Sequence, residues 1–318
     1  MTNGLGLEDA YYETIERIKA QGGDKARLGM KRLMWISHAE RPLKADELCH
    51  ALAVELGSTE FDAGNVPWMS TLVGCCQGLV MVDEETSTVR LVHFTLQEYL
   101  SARPDIFSRS HSTMAEICLT YLNSKQVKAV PADLASNFHN NPFVEYCSLY
   151  WGVHARMELS DQAKLLALEL LHGHDGHIST QLLLRQVKKG LRLGDFGTNF
   201  PFSGLHYASF FGIAQVVVAL IEMECCNANG GDFGGHSPLS WAARNEHEEV
   251  VEILLEQGEV NPDKSNDCGQ TPLLHAACRG HEGVVKILLS REGVSPDKPD
   301  DRGQHRSRLP LRMDMKEW

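Results

Sequence analysis

Leu205-His206-Tyr207-Ala208, Leu239-Ser240-Trp241-Ala242 and Leu273-Leu274-His275-Ala276 start 34 residues apart. The flanks keep the interval. Gly235 returns as Gly269 and Gly303, Ser237-Pro238 as Thr271-Pro272, Gly212 as Gly280, and Val216-Val217 as Val250-Val251 and Val284-Val285. One period reads as helix, turn, helix. Gly269 suits a tight turn that needs a positive φ before the first helix. Thr271 can cap that helix with its hydroxyl, and Pro272 fits the first helical position, where a missing N–H costs nothing. Leu273, Ala276 and Ala277 are expected to face inward, and Gly280 to end the helix. Val284, Val285, Ile287, Leu288 and Leu289 form the apolar stripe of the second helix. Asn261-Pro262-Asp263 and Ser295-Pro296-Asp297 open the turns that follow.

A period of about 33 carrying T-P-L-x-x-A resembles the ankyrin repeat. Such stacks are scaffolds for binding other macromolecules. On that resemblance Tyr207, Trp241 and His275 occupy one equivalent position, Arg244 and Cys278 a second, Asn245 and Arg279 a third. These positions tend to line the concave face, where aromatic and arginine side chains are favoured contact anchors. The candidate partner-binding residues are therefore Tyr207, Trp241, Arg244, Asn245, His275 and Arg279. The competing reading buries Tyr207 and Trp241 between adjacent helices.

Composition narrows the function further. The chain has 318 residues, room for two or three domains, and a net charge of −12, which disfavours nucleic acid as a partner. Met1-Thr2-Asn3-Gly4 leads into polar helix without the apolar core of a secretory signal. The longest nearly apolar run, Phe210 to Ile221, is too short to span a bilayer, so no membrane association is expected. The nine cysteines are scattered and twice vicinal, at Cys75-Cys76 and Cys225-Cys226, with no C-x-x-C pair. Reduced thiols in a cytoplasmic protein, with the nucleus left open, are the simple reading.

Ahead of the repeats, helical spacing runs over 7–20 through Leu7, Tyr11, Ile15 and Ile18. A second amphipathic helix is expected over 25–39, another from Ala45 to Leu56, and a further one from about Val66 to Cys76. A hairpin follows, with strands Leu79–Val82 and Val89–Val92 around a turn at Asp83 to Thr88, and then a helix from Thr95 to Leu100. Three helices and a hairpin are the order of a winged helix. The stretches 35–43 (W-I-S-H-A-E-R-P-L), 46–54 (D-E-L-C-H-A-L-A-V) and 89–100 (V-R-L-V-H-F-T-L-Q-E-Y-L) resemble the post-NACHT winged helix of fungal NACHT–ankyrin proteins, a module also named after GPI inositol-deacylase. Residues 113–122 and 144–156 resemble the helical connector that these proteins place before their repeats. Lys44 stands where the family usually has a capping Thr or Ser, which costs roughly 1 kcal/mol.

The resemblance implies a mainly α chain: a helix from the end of a NACHT region over 1–24, a winged helix over 25–103, a connector over 104–200, and an ankyrin solenoid over 201–304. It also implies an upstream nucleotide-binding core. No G-x-x-x-x-G-K-[ST] occurs in the chain, so it reads as the C-terminal portion of such a protein, with no bound cofactor expected. Within the family, the histidine at the position of His93 reaches back to the nucleotide phosphate. Without the core, a packed histidine bridging strand and helix is the simpler reading of His93. The implied function is a non-catalytic interaction and regulatory segment of a NACHT–ankyrin signalling protein, with an NTPase core upstream or in a separate polypeptide and a protein held by the repeats. A free-standing ankyrin adaptor is the alternative.

Three features invite other chemistry. A winged helix suggests DNA, but Asn65–Gln77 holds no Lys or Arg, and Asp83-Glu84-Glu85 forms the wing turn. His172, His174 and His177 lie in a glycine-rich loop without further ligands at zinc spacing, so no metal site is expected there. Gly235-His236-Ser237-Pro238-Leu239 imitates a nucleophile elbow but ends in Leu and follows no strand. Ser237 reads as a helix cap, and no enzyme is expected.

The end of the chain departs from the repeat. Asp300-Asp301-Arg302-Gly303-Gln304 begins a fourth period, and 305–318 abandons it. Plausible codons for 305–318, with one base added and the frame shifted, encode T-P-L-S-L-A-A-P-D-G-H-E-G-V, which aligns without a gap to Thr271–Val284. A one-base frameshift or gene-model error would account for the tail. Residues 305–318 are then expected to be disordered, and Val284, Ile287 and Leu288 to be partly exposed for want of a capping repeat.

Overall fold

The computed structural model describes residues 6–68, 74–130, 141–172, 177–191, 202–223, 227–298 and 300–301. The chain divides into two compact units, Met1–Leu159 and Ser160–Trp318. No helix among the described residues is long and apolar enough to cross a membrane. The tail over 305–318 and most of the His172–His177 loop lie outside the described residues.

In the first unit, α1 (Leu7–Ala20) lays Tyr11, Ile15 and Ile18 against α2 (Gly23–His38). Gly29 permits the contact, because a Cβ there would stand 2.8 Å from Ile18 Cγ2 and 3.0 Å from the Cys75 carbonyl oxygen. Trp35 of α2 is fully buried, with the rings of Phe143 and Tyr146 edge-on at 5.4 and 5.8 Å. The next helix, α3 (Ala45–Ala53), stops earlier than its apolar spacing suggests, because Val54 turns extended. Its entry is stabilised in spite of Lys44. The Glu47 carboxylate accepts the Lys44 backbone N–H at 2.8 Å and receives both Arg41 guanidinium nitrogens at 2.7 and 2.6 Å. The third position thus supplies the capping that the N-cap side chain lacks.

The helix expected from Val66 is corrected at its start. Ala63–Asn65 forms a single 3-10 turn capped by Asp62, and Val66 is extended, as the residue before Pro67 is biased to be. Part of that expected helix falls on 69–73, outside the described residues. The hairpin pairs β1 (Val80–Asp83) with β2 (Thr88–Leu91), antiparallel, in the register Val80 to Leu91. Leu43 and Lys44 add a short third edge: Val89 donates to the Leu43 carbonyl and Ala45 to that of Ser87, both at 2.9 Å. Then come α4 (Phe94–Ser101), α5 (Ser110–Asn123), the short α6 (Lys125–Lys128) and α7 (Val144–Met157). α5 and α7 pack along each other through Cys118, Tyr121, Phe143 and Cys147, all essentially fully buried.

The second unit opens with α8 (Asp161–His172) and α9 (Ile178–Leu191). Three helix pairs follow: α10 (Gly204–Phe211) with α11 (Ala214–Glu222), α12 (Pro238–Arg244) with α13 (Glu248–Glu256), and α14 (Pro272–Arg279) with α15 (Glu282–Leu289). α8 packs on α10 and α11. Gly204 admits it, since a Cβ there would meet the Leu171 carbonyl oxygen at 2.9 Å. Equivalent residues share one environment. Leu205, Leu239 and Leu273 are buried, as are Ala208, Ala242 and Ala276, and the paired valines of every second helix. Ser237 and Thr271 accept the N–H of Ser240 and Leu274 at 3.2 Å, and Ser203 caps the first helix in the same way.

Backbone and histidine bonds repeat at the same interval between pairs. Asp267 N donates to the Gly234 carbonyl at 2.9 Å and Asp301 N to that of Cys268 at 3.1 Å. His247 Nε2 meets the Phe210 carbonyl at 2.9 Å, and His281 Nε2 that of Arg244 at 3.0 Å. One expectation fails here. Val284 and Leu288 are fully buried and only Ile287 is half-buried, because α15 packs its stripe inward on α14 and α13.

Candidate interaction surface

The centre of the repeat stack is a polar network built around one carboxylate. Asp232 is buried in the turn before α12. Its Oδ1 accepts the backbone N–H groups of Gly234 and His236, each at 2.9 Å, and meets His236 Nδ1 at 3.1 Å. Its Oδ2 accepts Trp241 Nε1–H at 2.8 Å. Burial pushes the carboxyl up, but the hydrogen bonds from His236 and from the Gly234 and His236 backbone together hold it below the usual range. The network continues into the next repeat. Asn266 Nδ2 donates to His236 Nε2 at 2.9 Å, while its Oδ1 accepts Cys268 and Gln270 N–H at 3.0 and 2.8 Å. Those two backbone donors fix the amide, so His236 accepts at Nε2 and donates from Nδ1 to Asp232.

This network settles the fate of the aromatic candidates. Tyr207 and Trp241 are each 1 % exposed and His275 is 4 % exposed. Trp241 is turned inward by its bond to Asp232 and by the edges of Phe202 and Phe210, at 6.2 and 5.5 Å. Tyr207 packs on Phe211 at 5.1 Å. The His275 ring lies 5.3 Å from that of His236. Burial, followed by the neighbouring His236 ring and the charges of Arg244 and Arg279, brings His275 down to about 3. These three rings form the inside of the stack, and their expected role as surface anchors is withdrawn.

Arg244, Asn245 and Arg279 remain at the surface, Arg279 exposed and the other two half-buried. The Arg244 guanidinium lies 5.8 Å over the Trp241 ring. Burial, then the like charge of Arg279, lowers it to about 10. Asn245 is partly committed, since its Nδ2 donates to the Phe210 carbonyl at 2.9 Å. The surface therefore offers two neighbouring cations, backed by an aromatic layer, on a chain of net charge −12. That arrangement suits a carboxylate-bearing or otherwise anionic segment.

In the first unit His93 is exposed and is not packed as the sequence suggested. Its Nδ1 caps α4 by accepting Thr95 N–H at 3.3 Å, and it meets Thr95 Oγ1 at 2.8 Å. The ring sits on an open groove between α2 and the hairpin, beside the exposed apolar side chains of Met81, Val92 and Phe94. The sequence reading missed that groove, although Val92-His93-Phe94 at the strand-to-helix junction marks one edge of it. The wing turn presents Glu84 and Glu85 to solvent, and Arg90 is paired with Asp83, so this wing offers phosphate no free cation among its described residues. Ser237 Oγ is committed to its helix cap and is buried.

Comparison with known families agrees with both halves. Ankyrin repeats, in three copies, match residues 166–264 and 205–300, and the GPI inositol-deacylase winged helix domain matches 16–112. No curated protein matches the chain. The chain is thus a mainly helical protein that carries a winged helix of the GPI inositol-deacylase type and a set of ankyrin repeats. Ankyrin repeats are typically non-enzymatic interaction modules, so protein partners are the expected ligands.

Proposed function

We propose that this chain is a non-catalytic interaction and regulatory segment of a NACHT–ankyrin signalling protein of the fungal, NLR-like kind. In this reading, residues 25–103 form the winged helix, 104–200 the connector and 201–304 the repeats. The observation that carries the proposal is the conjunction of the two modules. A GPI inositol-deacylase winged helix stands ahead of ankyrin repeats in one polypeptide. The exposed groove at His93 is the face that contacts a nucleotide-binding core, and the Arg244–Arg279 surface holds a protein partner. The genomic sequence immediately upstream tests the context. An in-frame or adjacent P-loop NTPase is the expected result, whereas unrelated sequence there would favour a free-standing ankyrin adaptor.

A further inference from the structure

At the meeting of α2, α5 and α7, three side chains converge from positions far apart in sequence. His111 Nδ1 and His154 Nδ1 face each other at 2.9 Å. The ligand atoms of His111, His154 and Glu40 all lie within 4.8 Å of one another. We propose that these residues form a binding site for a divalent first-row transition ion of the zinc type. His111 Nδ1, His154 Nδ1 and a Glu40 carboxylate oxygen are its protein ligands, and the fourth position is open to water.

The spacing fits. Two nitrogens bound at about 2.0–2.1 Å around a tetrahedral ion stand roughly 3.3 Å apart, so the imidazoles need separate by only a few tenths of an ångström. Glu40 is exposed, and its carboxylate makes no hydrogen bond or ion pair among the described residues, so it can swing in as the third ligand. His154 is fully buried and held by its other nitrogen, Nε2, 2.9 Å from Tyr146 Oη. Ligation at Nδ1 puts the imidazole proton on Nε2, where it donates to that hydroxyl. Tyr146 Oη also accepts the Glu40 backbone N–H at 3.2 Å, so one phenol orients two of the three ligands. Neutral imidazole is the form that binds metal. Two imidazoles and one carboxylate with an open position are a donor set that zinc accepts.

Chelator-treated full-length protein titrated with Zn²⁺ by calorimetry, and with Co²⁺ by visible absorption, tests the site. The expected result is one ion per chain, with ligand-field bands of low-coordinate cobalt and a higher melting temperature in the presence of metal. His111→Ala and Glu40→Gln, both at partly or fully exposed positions, should each weaken binding by more than about tenfold, and Tyr146→Phe by roughly tenfold through the lost orientation of His154. A triple variant, His172→Ala with His174→Ala and His177→Ala, should bind as the parent does. Absence of saturable binding, parental affinity in His111→Ala and Glu40→Gln, or loss of binding in the triple variant would each overturn the assignment.

Discussion

Glu246 holds a backbone conformation that its side chain disfavours. The residue one period before it is Gly212, at φ 73°, and one period after it is Gly280, at φ 76°. Both glycines end a first helix in the left-handed region, and Glu246 takes φ 62° because the turn demands it. A non-glycine residue there costs roughly 1–2 kcal/mol, partly offset by the greater freedom of glycine in the unfolded chain. The side chain returns little, since its contact with His281 Nδ1 is 3.6 Å and the glutamate is 59 % exposed. Glu246→Gly should therefore raise stability by about 0.5–1 kcal/mol, read from thermal or urea melts. An unchanged or lowered midpoint would show that the turn does not impose the strain. The position was hidden in the sequence because the one repeat under strain lacks the glycine that marks the others.

At the scale of the element, the repeat works because each helix pair buries one face only against its neighbours. Leu273 is 2 % exposed and its equivalents Leu205 and Leu239 are fully buried. Leu273→Ala should cost about 2–5 kcal/mol, and in a stack this short the loss should reach the whole array as one cooperative unit. A protein that melts like the parent would remove Leu273 from the core. These elements were readable in advance because the same physics is written repeatedly: cap, proline, alanine pair and valine pair return at equal intervals. The surface was less readable. Whether Tyr207 or Trp241 faces solvent depends on Phe202, Phe210 and the Asp232 carboxylate, which reach them from other turns, and period alone carries no such information. The juxtaposition of His111 with His154, 43 residues apart, is tertiary in the same sense.

For the molecule as a whole, a buried neutral imidazole makes stability fall in acid. Burial, and then His236, Arg244 and Arg279 around it, bring His275 down to about 3 in the folded chain, below the ordinary 6.5. The unfolded chain then binds more protons at this site between pH 6.5 and 3, so the stability that His275 contributes is complete above about pH 6.5 and falls as pH drops through that window. His275→Leu should flatten this acid limb, by an amount on the order of a few kcal/mol at its foot. Urea midpoints recorded from pH 7 to 4 would show it, and parallel curves for variant and parent would contradict it.

In the proposed reading the Arg244–Arg279 surface of the ankyrin stack holds a protein partner. Its most direct measurement is quantitative affinity capture with the full chain, beside a variant carrying Arg244→Gln and Arg279→Glu. Matched melting curves must first show that both are folded. The parent should retain a defined set of proteins, unchanged by nuclease or nucleotide, that falls at least about tenfold on the variant, as expected when an anchoring charge is removed. Equal capture by both chains, or recovery of nothing but nucleic acid, would contradict it.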